Sequence, residues 1–257
     1  MKLSIVLPVS RPESTGLIAS NLNSALVQSH EYELITVFDN KFIDPNRFFD
    51  QLDLNPFTRH EFAYTNRGKP PSHSIPRRDR IANVHNVAKE MLGDTDVVFS
   101  FEDDTVLPPN ALTRLLRSLG EGVGLVSGIE VGRHINQYLG AWHIKGDPAD
   151  PHYYESLLDY KSRPVVKEVD ATGFYCFVTP TELYKSVEHQ WKMPLGPDVF
   201  YGLELRRRGL KNLINTNLAC GHKHREETLY PHDQLKQWQI SKRAENWKMR
   251  CVDQKLA

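Results

Sequence analysis

The sequence has no apolar run long enough to cross a bilayer. Its most hydrophobic stretches, such as Asp96–Phe101 and Val123–Ile129, are strand-sized, against the roughly 20 residues that a spanning helix needs. A basic segment followed by an apolar stretch and a small-residue cleavage site is also missing. The chain instead runs straight into Leu3-Ser-Ile-Val-Leu7, so no secretory leader is expected. Cysteine is scarce: Cys176, Cys220 and Cys251 are scattered, with no Cys-x-x-Cys pair and no zinc spacing. That usage fits a reducing, cytoplasmic setting. Neither charge is in excess, because 32 Lys and Arg balance 32 Asp and Glu. A surface given over wholly to nucleic acid is therefore not expected, although a local basic patch is compatible with this balance. There is no internal repeat and no low-complexity tract, and disorder is not expected of a chain with nil net charge and large apolar residues throughout.

What is present is an ordinary globular composition: 257 residues, 40% hydrophobic and 25% charged. A chain of this length buries roughly 70–75% of its unfolded surface and needs no disulfide or metal merely to fold. Short apolar runs alternate with helical patterns, the signature of an α/β sheet. Strands are predicted at Leu3–Leu7, Glu33–Phe38, Phe62–Tyr64, Val97–Phe101 and Val123–Ile129. Between them, Ser14 or Thr15 caps a helix carrying Leu17, Ile18, Leu22, Ala25 and Leu26. Asp44-Pro45 opens a short helix, Ile81–Leu92 forms a longer one ending near Gly93, and Pro108-Pro109 restarts the chain as another. Asn66–Arg80 reads as a long functional loop rich in Gly, Pro and Arg. After Arg133 the segments become shorter and more aromatic. Asp147–Arg163 is polar and irregular, strands are predicted at Val165–Val169, Phe174–Val178 and Lys211–Asn215, and helices at Thr181–Glu188 and Pro197–Arg208. An amphipathic segment, Asp233–Trp247, closes the chain.

Four groups of residues carry chemistry. Glu102-Asp103-Asp104 follow an apolar strand, at the end where open α/β sheets bind ligands. Three adjacent carboxylates repel one another unless a cation is present, and hard oxygen ligands suit Mg²⁺ or Mn²⁺; a solvated acidic turn is the alternative. His222 and His224 flank Lys223, either as a polar turn or as a source of one imidazole ligand. Asp198 lies in the first turn of a helix, as a complement to its dipole or as a general base at a pocket mouth. In the same helix Glu204 is placed to pair with Arg208 one turn on, and the Arg206–Arg208 run reads mainly as a solvated face. Arg77, Arg78 and Arg80 open a helix beside Arg67-Gly-Lys69, in a pattern that suits either a diphosphate or a solvated loop. Asp39, ending the second strand, either accepts from a base or ribose or closes a turn. Tyr138, Trp142, Tyr153, Tyr154, Phe174 and Tyr175 are candidates for stacking on an acceptor or for the core.

In this order the features resemble glycosyltransferase family 2. Ser4-Ile-Val-Leu-Pro8-Val9 is similar to the family's first strand and nucleotide loop, and Phe38-Asp39-Asn40 to its acidic nucleoside contact. Glu102-Asp103-Asp104 resembles the DXD motif with Glu in first place, and Asp170-Ala-Thr-Gly173 the small-residue acceptor strand. Pro197-Asp198 followed by Glu204-Leu-Arg-Arg-Arg-Gly209 resembles the helix bearing the catalytic Asp, with Pro197 where the family has Glu. The family's Arg-Asn pair stands here as His85-Asn86, with Arg80 a turn and a half earlier.

The resemblance implies a single GT-A domain over residues 1–257, a mixed sheet flanked by helices. Residues 1–130 form its nucleotide-sugar half, 131–230 its acceptor and catalytic half, and 231–257 a helical tail. It implies a UDP- or GDP-sugar donor contacted by Pro8, Val9, Arg11, Asp39, Arg80, Asp103 and Asp104. It also implies Mn²⁺ or Mg²⁺ on Glu102, Asp104 and His222 or His224, and Asp198 as base for an inverting transfer. The acceptor is a saccharide, a lipid-linked sugar, a protein or a modified nucleic acid. Without the membrane spans of processive synthases, a single transfer to a soluble or peripheral acceptor is expected. Two rivals stand beside this reading. A nucleotidyltransferase would share the nucleotide half but would show a glycine-rich loop, unlike Pro8-Val-Ser-Arg-Pro-Glu13. A non-catalytic binding protein would keep the site without turnover.

Overall fold

The computed structural model of the protein describes residues 1–25, 32–39, 43–52, 59–65, 77–130, 140–144, 154–156, 166–191, 196–224 and 227–231. The first half is a run of β/α units: β1 (Leu3–Val9), α1 (Thr15–Ala25), β2 (Tyr32–Phe38), α2 (Pro45–Asp50), β3 (Arg59–Tyr64), α3 (Arg77–Met91) and β4 (Val97–Phe101). A two-residue strand, β5 (Thr105–Val106), then α4 (Ala111–Leu116) and β6 (Val123–Ile129) follow. The second half is more broken: β7 (Ala141–Ile144), β8 (Tyr154–Ser156), β9 (Val166–Val169), β10 (Ala171–Thr172), β11 (Cys176–Pro180), α5 (Thr181–Ser186), α6 (Pro197–Arg207), β12 (Lys211–Ala219), β13 (Gly221–His224) and β14 (Glu227–Leu229).

Local chemistry explains several boundaries. Asp44 caps α2, its side chain accepting from the Asn46 backbone N–H at 3.0 Å, and Pro45 needs no partner at the first helical position. Alternate residues of β1 enter different layers: Ile5, Leu7 and Val9 pack with Ile18, Leu112 and Leu115, whereas Val6 packs with Val84, Ala88 and Tyr184. Two apolar layers therefore sandwich one sheet, with α1, α2 and α4 in one and α3, α5 and α6 in the other.

The main sheet runs β3-β2-β1-β4-β11-β6-β12-β9. Strands β3, β2, β1 and β4 are mutually parallel, β11 is antiparallel to both β4 and β6, and β9 is antiparallel to β12. The strand order reverses at β1, which has β2 on one side and β4 on the other. Such a switch point opens a crevice beyond the carboxyl ends of the strands. Pairing of β1 with β4 stops at Val6 and Ser100, two residues before Pro8, which has no N–H to offer a ladder.

The strands predicted at 97–101 and 123–129 appear with those bounds, and the strand expected at 174–178 lies two residues later. Arg77–Arg80 form the first turn of α3, as the helix start expected there implies and against their inclusion in the Asn66–Arg80 loop. Residues 66–76 and the amphipathic segment 233–247 lie outside the described residues. Among the described residues no helix is long and apolar enough to cross a membrane.

Candidate active site

The switch point holds a cleft lined by Pro8 and Val9 at the end of β1, Ser10 and Arg11 after it, Asp39 after β2, Glu102 and Asp103 after β4, and Arg80, Ile81, Val84 and His85 from α3. The candidate nucleotide residues Pro8, Val9, Arg11, Asp39, Arg80 and Asp103 thus meet on one surface, with Glu102 beside them. Parallel strands ending together, with a crossover helix over them, account for this convergence.

Two Arg–Asp pairs organise the cleft. Asp39 takes the Arg80 fork on Oδ2, with Nε at 2.6 Å and Nη2 closer still, while Thr65 Oγ1 donates to Oδ1 at 2.8 Å. Arg80 is therefore committed to Asp39 here, and its guanidinium fixes the carboxylate that closes β2. Asp103 serves the β1 loop: its Oδ2 accepts from the backbone N–H groups of Ser10 at 2.8 Å and Arg11 at 2.9 Å, and its Oδ1 accepts from Arg11 Nη1 at 2.8 Å. Arg11 Nη1 also lies 2.9 Å from Asp104 Oδ2.

Asp104 also meets a small sheet formed by β5, β13 and β14. Pairing of His222 with Thr105 brings His222 Nε2 to 3.1 Å from Asp104 Oδ2, and the Lys223 N–H donates to the Asp104 carbonyl at 2.7 Å. Asp104 Oδ2 and His222 Nε2 are within hydrogen-bond distance of each other, and a carboxylate oxygen beside an imidazole nitrogen is donor chemistry that a divalent cation such as Mn²⁺ accepts. His222 stands beside the carboxylates; the His224 side chain lies outside the described residues. Among the described residues no group of three or more His, Cys, Asp and Glu is already gathered around a common point.

Sequence reasoning missed Glu130. It follows β6, is buried, and places Oε1 3.7 Å from His222 Nδ1 and 3.3 Å from Thr105 Oγ1. Burial pushes its carboxyl well above the ordinary range, and the nearby charge of Glu102 adds to this. Its sequence signal was the one that marked Glu102, a carboxylate at the exit of an apolar strand.

Asp198 is the second residue of α6 and accepts from the Val199 N–H at 2.9 Å. It is not among the residues lining the switch-point cleft. Its helix is pinned to the Asp170–Thr172 segment: a Cβ on Gly202 would fall 2.8 Å from Ala171 Cα, and Asn212 Nδ2 bridges the carbonyls of Gly202 and Asp170 at 2.7 and 2.8 Å. Glu204 pairs with Arg208 as expected, and with Arg207 too. The arginine run is exposed, as expected; within it Arg206 holds Glu168 at 2.9 Å and Asp170 at 2.8 Å, and Arg208 donates to Ser186.

Other candidates resolve into structure. Phe174 and Tyr175 are core, with the Tyr175 hydroxyl donating to the Gly128 carbonyl at 2.8 Å. Trp142 packs beside Ala171 and Val199. Tyr138, Tyr153 and the Tyr154 side chain lie outside the described residues, as do the side chains of Arg77 and Arg78. Asn86 is engaged with the backbone of His189 at 2.8 and 2.9 Å, and His85 is buried with Nδ1 2.7 Å from the Tyr184 hydroxyl.

A mixed sheet flanked by helices, with a switch-point cleft and carboxylates at the exit of β4, has the layout expected of a GT-A transferase. The chain belongs to the glycosyltransferase-like family 2, whose profile it matches over residues 22–241. No functionally curated protein matches the sequence. Among solved structures, A197 from STIV aligns over 90% of this chain and 91% of its own, at 13% identity and a TM-score of 0.50. The mannosyltransferase PcManGT from Pyrobaculum calidifontis, in complex with GDP-Man and Mn²⁺, aligns over 83% of this chain at 13% identity and a TM-score of 0.52. The alignment spans 56% of that longer protein.

Proposed function

We propose that the protein moves a sugar from a UDP- or GDP-linked donor to an acceptor hydroxyl, with inversion, using a divalent cation and Asp198 as general base. The observation that carries this reading is the convergence of β1, β2, α3 and β4 on one cleft that presents both acidic and guanidinium groups. The complex of PcManGT with GDP-Man and Mn²⁺ supports the same donor class and an ion.

Residues 1–130 take the donor. Asp39, held by Arg80 and Thr65, presents oriented carboxylate oxygens to the nucleoside, and the Pro8–Arg11 segment lines the nucleotide path. Asp104 and His222, with Glu102 beside them, would hold Mn²⁺ or Mg²⁺, which when bound offsets charge on the leaving diphosphate. Residues 131–230 take the acceptor. Asp198, at the start of a helix packed on the Asp170–Gly173 segment, removes the proton of the attacking hydroxyl.

The test is a thermal-shift series of nucleotide-sugars and nucleoside diphosphates with Mn²⁺, Mg²⁺ or EDTA, followed by assay for released nucleoside diphosphate. A shift that needs both one nucleotide and the ion, with diphosphate release, is the expected result. Pyrophosphate release would assign nucleotidyl transfer instead. Binding without turnover on any acceptor would assign a non-catalytic binding protein.

A further inference from the structure

Arg11 reaches both carboxylates that follow Glu102. Its Nη1 lies 2.8 Å from Asp103 Oδ1 and 2.9 Å from Asp104 Oδ2, and that second oxygen is the same one that faces His222 Nε2 at 3.1 Å. Asp103 and Asp104 are 4% and 3% exposed, so water does little to screen them and a buried carboxylate demands a counter-charge. The guanidinium supplies it.

The two carboxylates differ in what they keep if Arg11 swings away. Asp103 retains the Ser10 N–H, the Ser10 hydroxyl and the Arg11 N–H, all donating to Oδ2 at 2.8 to 3.2 Å. The Arg11 backbone is thereby anchored whatever its side chain does. Asp104 Oδ2 keeps the His222 ring at 3.1 Å, and it is where a cation would replace the guanidinium. The side chain itself is 27% exposed and lines the nucleotide cleft. A guanidinium matches a diphosphate as well as it matches a carboxylate.

We propose that Arg11 is an exchangeable counter-ion. Without ligand it neutralises Asp104 in place of the divalent cation. When the ion takes Asp104 Oδ2, the guanidinium transfers to the diphosphate of the nucleotide-sugar. Ion and nucleotide therefore bind as a coupled pair, each strengthening the other by the same factor, and the ion alone binds weakly. The inference rests on the ion-and-donor reading given above.

The experiment is titration of the full chain with Mn²⁺, read by calorimetry or by the electron paramagnetic resonance signal of free Mn²⁺, with and without GDP or UDP. Direct ligation by the diphosphate raises Mn²⁺ affinity in any variant; the exchange adds an increment that needs Arg11. Arg11→Gln is expected to bind Mn²⁺ alone at least tenfold more tightly than the wild type and to gain less from the nucleotide. Arg11→Met, which keeps the aliphatic stem, carries the same expectation should the first variant fold poorly. Asp104→Asn is expected to abolish Mn²⁺ binding in both backgrounds. Equal Mn²⁺ affinity in wild type and both Arg11 variants overturns the exchange and leaves the ion reading standing. No Mn²⁺ binding by any of them, with or without nucleotide, overturns both.

Discussion

Asp104 and His222 stand 118 residues apart in the chain and 3.1 Å apart in space. Strand register makes the contact: β13 pairs antiparallel with β5, setting His222 against Thr105, and the Lys223 N–H locks the Asp104 carbonyl. A slip of one residue would turn His222 to the opposite face and offer Lys223 in its place. Removal of either partner is expected to abolish the ion-dependent part of nucleotide binding. At 100 times its Kd a ligand adds about 2.7 kcal/mol of stability. In Asp104→Asn and His222→Ala the portion of this increment that EDTA removes in the wild type should vanish. A shift that stays sensitive to EDTA in both variants would place the ion elsewhere.

Asp198→Asn should separate chemistry from binding. Asn keeps the shape and retains an oxygen for the Val199 N–H, which Asp198 Oδ1 now accepts at 2.9 Å, but it cannot take a proton. Loss of a general base lowers turnover by about 10²- to 10⁴-fold, while the thermal shift with the donor should be unchanged. Turnover near the wild-type rate would remove Asp198 from the role of base.

The donor half was legible because its signals are local. The apolar run Val97–Phe101 defines both a strand and, at its exit, the carboxylates; Asp44-Pro45 marks a helix start within two residues. Roles set by distant partners were not legible. Nothing near Asp103 in sequence says that it clamps the Ser10 and Arg11 backbone, 93 and 92 residues away. Arg80 carries the composition of a phosphate ligand, yet Asp39, 41 residues away, engages its fork. Glu130 needed the pairing of β5 with β13 to show its relation to His222. Phe174 and Tyr175 followed the aromatic pattern expected of either an acceptor platform or a core, and only burial decides between them.

Gly202→Ala tests whether the seat of α6 matters to the reaction. The added Cβ would stand 2.8 Å from Ala171 Cα and 2.9 Å from the Asp170 carbonyl oxygen, against backbone that cannot rotate aside. The helix must move off β10, at a cost of about 1–3 kcal/mol in stability, and Asp198 moves with it. Chemical denaturation should show the loss, and turnover should fall with nucleotide binding retained. Unchanged stability would mean that the helix and strand separate more easily than this contact implies.

The sensitivity of the fold to acid should be traceable to His85. It is 1% exposed and its Nδ1 lies 2.7 Å from the Tyr184 hydroxyl, with the His189 ring beside it. Burial lowers its pKa from 6.5 to about 3. His189 is pushed well below its ordinary value first by burial, then by His85 and Lys89. The neutral imidazole is thus the folded form, and below pH 6.5 the unfolded chain binds a proton that the folded chain refuses. The His85 contribution is full above pH 6.5 and is lost as pH falls towards 3. Linkage gives about 2 kcal/mol lost between pH 7.5 and pH 5, with His189 acting in the same direction. Unfolding curves at several pH values should show this slope, and His85→Gln, less stable at pH 7.5, should show a shallower one. An identical slope in the variant would assign the acid response to other groups.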